Sequence, residues 1–162
     1  MTRRILFFCM GNICRSPTAE GVMRARLAAA GLADRVEVDS AGTHGYHVGA
    51  PPDERAQAHA RRRGYDLSRL RARQLVADDF TRFDLVLGMD ADNIARAAQL
   101  CPPGERHRLK LLLDYAPQAG KRHVPDPYYG GDAGFEEVLD LVEAACDGLV
   151  AMLKRSPDAP AA

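Results

Sequence analysis

The chain carries no excess charge of either sign, since its 22 basic and 22 acidic residues cancel. That removes the broad field that would draw a protein to nucleic acid or to an anionic lipid surface, so neither is expected as a partner. It has no uninterrupted apolar run of membrane-spanning length and no basic start followed by a secretory apolar stretch. The four cysteines, Cys9, Cys14, Cys101 and Cys146, fall in no disulfide-scaffold spacing, so free thiols and a cytoplasmic location are expected. The pattern G-x-G-x-x-G does not follow the first apolar run, which makes a dinucleotide site unattractive. Cys9 and Cys14 have no matching second pair, and His44, His47, His59, His107 and His123 show no ligand spacing, so neither a metal nor another cofactor is expected.

What is present suits one soluble domain: 162 residues, 46% hydrophobic and 27% charged. The reading is a domain over residues 1–156 with a short flexible Pro/Ala tail at 157–162. RRILFF at residues 3–8 reads as a buried strand, and Gly11 and Asn12 break it. Ser16 as N-cap and Pro17 in the first helical position then open a helix over residues 18–32, closed near Gly31. Further strands are expected at residues 35–40, 83–90 and 107–115, and further helices over 53–63, 92–100 and 134–155. This alternation predicts an α/β three-layer fold, a parallel sheet with helices on both faces. Ligands of such sheets bind beyond the carboxyl ends of the strands, where Cys9 falls.

The stretch CMGNICRSP, residues 9–17, carries the chemistry. A compact loop of Met10, Gly11, Asn12, Ile13 and Cys14 between strand and helix can turn backbone N–H groups inward as an anion nest, with the positive helix end behind it. The same donors favour a thiolate on Cys9 and so a depressed pKa. Arg15 can hold two phosphoryl oxygens with its planar fork. Ser16 has two readings, a helix cap or a hydroxyl donor to the Cys9 sulfur, and the sequence leaves both open. Far along the chain, DPYYGG at residues 126–131 offers Asp126, kept extended by Pro127, as an acid for the leaving group and then a base toward water. Tyr128 and Tyr129 are candidate walls for an aromatic ring. The arginines at 61–63, 69, 71 and 73 read as solvated helix faces, and Asp90 and Asp92 as a turn and helix start.

Together, CMGNICRSPTAE, SAGT at residues 40–43 and DPYYGG closely resemble the low-molecular-weight protein tyrosine phosphatases, over nearly the whole chain. The resemblance implies a central four-stranded parallel sheet with a phosphate-binding loop after the first strand. It also implies metal-independent hydrolysis of phosphotyrosine in proteins through a cysteinyl-phosphate. Cys9 would be the nucleophile, Arg15 the phosphate clamp and Asp126 the acid and base. Asn12, Ser16 and Ser40 would shape the loop around phosphate or another oxyanion, and Ile13, Tyr46, Tyr128 and Tyr129 would line the entrance. It further implies a reversible Cys9–Cys14 disulfide under oxidants. Many members have a histidine where this chain has Leu70, so the support of the asparagine is expected to differ. Three other activities bear on the same loop. A phosphoarginine phosphatase tends to have Thr where this chain has Ile13. A thiol-dependent arsenate reductase needs further cysteines that residues 77–92 lack, and a phosphotyrosine-binding module would need neither nucleophile nor acid. A monomer is expected.

Overall fold

The computed structural model describes residues 3–128 and 130–155. Tyr129 and the residues from 156 onward lie outside the described residues, and with them the expectations for Tyr129 and for the tail. Four strands, β1 (Arg3–Cys9), β2 (Val36–Gly42), β3 (Leu85–Gly88) and β4 (Leu109–Leu111), form one parallel sheet in the order β2-β1-β3-β4. The helices are α1 (Arg15–Ala29), α2 (Glu54–Arg62), α3 (Asp79–Arg82), α4 (Ala91–Leu100) and α5 (Asp132–Arg155). None of the described helices is long and apolar enough to cross a membrane.

β1 is apolar on both faces because it is the central strand of a sheet covered on both sides. Ile5, Phe7 and Cys9 pack with Met23 and Leu27 of α1 and Val142 and Leu149 of α5, whereas Leu6 and Phe8 pack with Phe80 of α3 and Ala97 of α4. The period-two alternation of one strand thus divides the interior into two layers. α5 lies close over the first of them: a Cβ on Gly148 would stand 1.9 Å from the Tyr115 carbonyl oxygen, so only glycine lets the backbones meet.

Because the strands are parallel, their carboxyl ends share one rim, with Cys9 opposite Gly42 and Phe8 opposite Gly88. β2 and β3 lie on opposite sides of β1, so the chain reverses its winding direction there, and the crevice opens just beyond Cys9.

Several expected boundaries shift. α1 begins at Arg15, one residue before the expected cap; its N-cap residue is Cys14, which makes no side-chain cap bond, and the Ser16 hydroxyl is used elsewhere. Only Leu109–Leu111 of the expected fourth strand pair with β3, since Leu112 and Leu113 turn into the core in a 3-10 turn over Leu112–Tyr115. α3 was not expected. Arg69, Arg71 and Arg73 are not on a helix, and Arg73 bridges Asp39 at 3.1 Å and Asp79 at 3.0 Å. Arg63 is likewise not simply solvated: it pairs with Glu136, Asp140 and Glu143 of α5.

Candidate active site

The loop 10–14 leaves β1 and is tied down by its carbonyls. Cys9 O accepts from Thr43 N at 2.9 Å, Met10 O from His44 N at 3.0 Å and Ile13 O from Asp53 N at 2.8 Å. Cys14 O accepts from the Thr18 hydroxyl at 2.7 Å. Among the described residues, the backbone N–H groups of 10–14 have no protein acceptor, so these donors remain for a ligand while the Met10, Ile13 and Cys14 carbonyls are occupied. α1, a 15-residue helix, starts directly behind them and adds its positive end. Gly42 makes room for this bend: a Cβ there would lie 2.8 Å from Met10 O and 3.1 Å from Asn12 N.

Asn12 holds the loop from inside. Its φ of 58° lies in the left-handed region, which asparagine tolerates better than most residues. Its side-chain amide donates to the Ser16 hydroxyl at 2.8 Å and the Ser40 hydroxyl at 3.0 Å, and its carbonyl oxygen accepts from Arg73 N at 3.0 Å. The Arg73 amide therefore supports the asparagine in this chain, while Leu70 packs against the main core. Ser40 passes the network on, donating at 2.7 Å to the buried carboxylate of Glu20, which Arg24 pairs at 2.7 Å.

Ser16 Oγ lies 3.1 Å from Cys9 Sγ and 3.3 Å from Ala41 O. Since it already accepts from Asn12, its single proton is left for the sulfur or that carbonyl. Of the two readings of Ser16, the geometry favours the hydroxyl beside the thiol over the helix cap.

Arg15, 3% exposed, donates from one guanidinium nitrogen to Asp90 at 2.6 Å and Val124 O at 3.0 Å. The other terminal nitrogen lies 3.5 Å from Asp126. Burial works against its charge, but Cys9, Asp90 and Asp126 together hold its pKa above the ordinary arginine value. A buried cation with one close and one loose carboxylate partner is poised to take a dianion. Asp126 also accepts from Tyr128 N at 3.0 Å, which closes a local turn and aims the carboxyl from the exposed loop. Arg55 of α2 anchors that loop, donating to Tyr128 O at 2.9 Å with its guanidinium 5.7 Å from the Tyr128 ring centre and 4.9 Å from that of Phe135.

These groups line one cleft of ≈ 210 Å³. Its lining comes from Cys9, the loop residues Met10, Gly11, Ile13 and Cys14, Arg15 and Asp126, together with the rings of Tyr46, His47 and Tyr128. Asn12, Ser16 and Ser40 sit behind the loop, buried. Ile13 packs against Cys14, Ala56 and Phe135, which gives the cleft an apolar side. Cys14 is a poor thiolate: burial, followed by the neighbouring Asp53, Cys9 and Asp126, pushes its pKa far up. All four cysteines are free.

Sequence reasoning missed His47, Glu20 and the Arg73 amide, and read Asp90 only as a helix start. Asp90 does cap α4, accepting from Asn93 N at 2.8 Å, but its second oxygen takes Arg15.

The family model "Low molecular weight phosphotyrosine protein phosphatase" matches residues 4–159. The low molecular weight protein-tyrosine-phosphatase of Streptomyces coelicolor is 48% identical over 166 residues, covering 100% of each chain. The human low molecular weight phosphotyrosine protein phosphatase is 38% identical over 90% of this chain and 92% of its own. Among solved structures, a protein tyrosine phosphatase from Entamoeba histolytica with Hepes in the active site superposes with a TM-score of 0.92 at 37% identity, covering 96% of this chain and 99% of that one.

Proposed function

The chain belongs to the low molecular weight phosphotyrosine protein phosphatase family, and from that premise we propose how its residues divide the work of hydrolysing protein phosphotyrosine. The phosphate dianion sits in the 10–14 loop on the free N–H groups, and the Arg15 fork takes two of its oxygens. The Cys9 thiolate attacks phosphorus, the S–P bond forms as the P–O bond to the aryl group breaks, and Asp126 gives its proton to the departing phenolic oxygen. Water then attacks the cysteinyl-phosphate, Asp126 takes the water proton, and the S–P bond breaks to release inorganic phosphate. The Ser16 proton stabilises the returning thiolate, 3.1 Å away. Asp90 and Val124 O hold Arg15 in place throughout.

The observation that carries this reading is the convergence of Cys9, Arg15 and Asp126, from three separate segments, on one cleft beside a loop of unpaired N–H donors. Hepes, a sulfonate, in the active site of the Entamoeba histolytica relative is in keeping with an oxyanion pocket here. A monomer is the proposed working unit. Ile13 and the rings of Tyr46 and Tyr128 suit an aromatic leaving group better than a charged guanidinium. A Cys9–Cys14 disulfide is part of the proposal, since both thiols line the cleft; the raised pKa of Cys14 slows its attack on an oxidised Cys9.

Phosphotyrosine, phosphoserine and phosphoarginine peptides, offered in the presence of a chelator, test the assignment. Phosphotyrosine turnover is expected to exceed the others by roughly 100-fold or more, because phosphoserine brings no ring to the apolar and aromatic walls and phosphoarginine brings a charged guanidinium against them. Equal or faster release of phosphate from phosphoarginine would replace the aromatic reading by a guanidinium one.

A further inference from the structure

A second, larger cleft of ≈ 620 Å³ opens beside the first and shares Met10, Arg15, Tyr46 and Asp126 with it. Its far wall is the outer face of α4, where Asp92, Arg96 and Gln99 follow one another at helical spacing. Its near wall is the exposed Tyr46 ring stacked on His44, with centroids 4.9 Å apart. The two charges of the far wall are unlike those deeper in. Asp90 is occupied by Arg15 and by the α4 cap, and Asp126 leans on Arg15. Arg96 and Asp92 are exposed and, among the described residues, form no ion pair or side-chain hydrogen bond with the protein.

We propose that this cleft carries the polypeptide flanking the phosphotyrosine, with Arg96 taking an acidic side chain of the substrate and Asp92 accepting a main-chain N–H. The proposal rests on the phosphotyrosine reading and names the protein substrate class more narrowly, as acidic in sequence near the reacting tyrosine. Continuity fixes the occupant: a chain whose tyrosine enters the small cleft must leave through the common rim, and this is a cleft that shares that rim's reacting groups. From Asp92 to Gln99 the helix rises about 10 Å, which an extended peptide spans in roughly three residues. A peptide running along this wall thus lays about three of its flanking residues against it, and the acidic residue is sought among these. Tyr46 offers a flat surface for the intervening backbone or an apolar side chain.

The test compares phosphotyrosine peptides carrying Asp or Lys at each of the flanking positions, with p-nitrophenyl phosphate as a substrate that has no flanking chain. In the unmodified enzyme, Asp at one position within this range is expected to raise kcat/KM roughly threefold to fivefold over Lys, the effect of one partly exposed ion pair, and added salt shrinks it. Arg96→Glu is expected to invert that preference at the same position, and the change appears in KM. Absence of any Asp-over-Lys preference in the unmodified enzyme overturns the proposal. So does an Arg96→Glu variant that keeps the preference, or one that slows p-nitrophenyl phosphate and every peptide alike. Those results leave the phosphatase reading standing, whereas failure of every aryl phosphate to turn over would remove both.

Discussion

Cys9→Ser lowers phosphotyrosine hydrolysis by at least about three orders of magnitude while the protein still folds and still binds phosphate. The expectation follows from the division of labour around the sulfur. The free N–H groups of 10–14 and the Arg15 guanidinium do not depend on the residue at position 9, so phosphate binding is expected to survive the change. The sulfur is the better nucleophile toward phosphorus and the better leaving group from it, and the hydroxyl 3.1 Å away can donate to it as it departs; a serine oxygen in its place is a poor nucleophile and a poor leaving group. The size change is small and Cys9 ends a strand whose other residues fill both core layers, so the fold has little reason to fail. Cys14→Ser is the contrast. That thiol is kept protonated by burial and by the carboxylates near it, and its activity loss stays within about tenfold. Phosphate release by both variants, beside phosphate affinity from thermal-shift titration, checks the pair. Full activity in Cys9→Ser would remove the nucleophile.

The second large effect belongs to Asp126. Asp126→Asn keeps the oxygen that accepts from Tyr128 N, so the turn survives, but an amide carries no transferable proton. Turnover of phosphotyrosine is expected to fall roughly 100-fold to 10000-fold, the usual contribution of a positioned acid. The signature is the leaving group. A phenolic oxygen with the basicity of tyrosine needs the proton, while a nitrated phenol leaves readily as its anion. The penalty should therefore shrink steeply along a series of aryl phosphates of falling phenol pKa. A penalty that stays constant along that series would mean that Asp126 acts only on Arg15, 3.5 Å away, and not on the leaving group.

The features written in local sequence were legible, and those made by distant contacts were not. RRILFF reads as a buried strand because both faces are apolar, and the sheet indeed covers both. The loop before α1 was legible because strand, glycine turn and helix stand next to one another, and the exposed loop of Asp126 because Pro127 holds it out of a helix. Asp90 shows the opposite case. Asp before a helix is fully explained by its cap, and nothing near it announces a guanidinium 75 positions earlier in the chain. Glu20 is similar, since an acid near a helix start reads as a favourable dipole contact, and only the fold reveals that it is buried against Ser40. Ser16 fits a capping rule and a catalytic network equally well on paper. It took the actual start of α1 at Arg15 to separate them. β4 was read too long because LKLLLDY carries four leucines in five positions, and a leucine-rich run does not say where pairing stops and a 3-10 turn begins.

The most direct measurement is a rapid acid quench of the enzyme during turnover of a phosphotyrosine peptide, followed by peptide mapping at an acidity that preserves a thiophosphate ester. One phosphoryl group per chain is expected, on the peptide containing Cys9 and absent in Cys9→Ser. Slower hydrolysis of the intermediate, as in Asp126→Asn with a good leaving group, should let more of it accumulate. A phosphoryl group found on another residue, or steady turnover through no phosphoenzyme at all, would contradict the account.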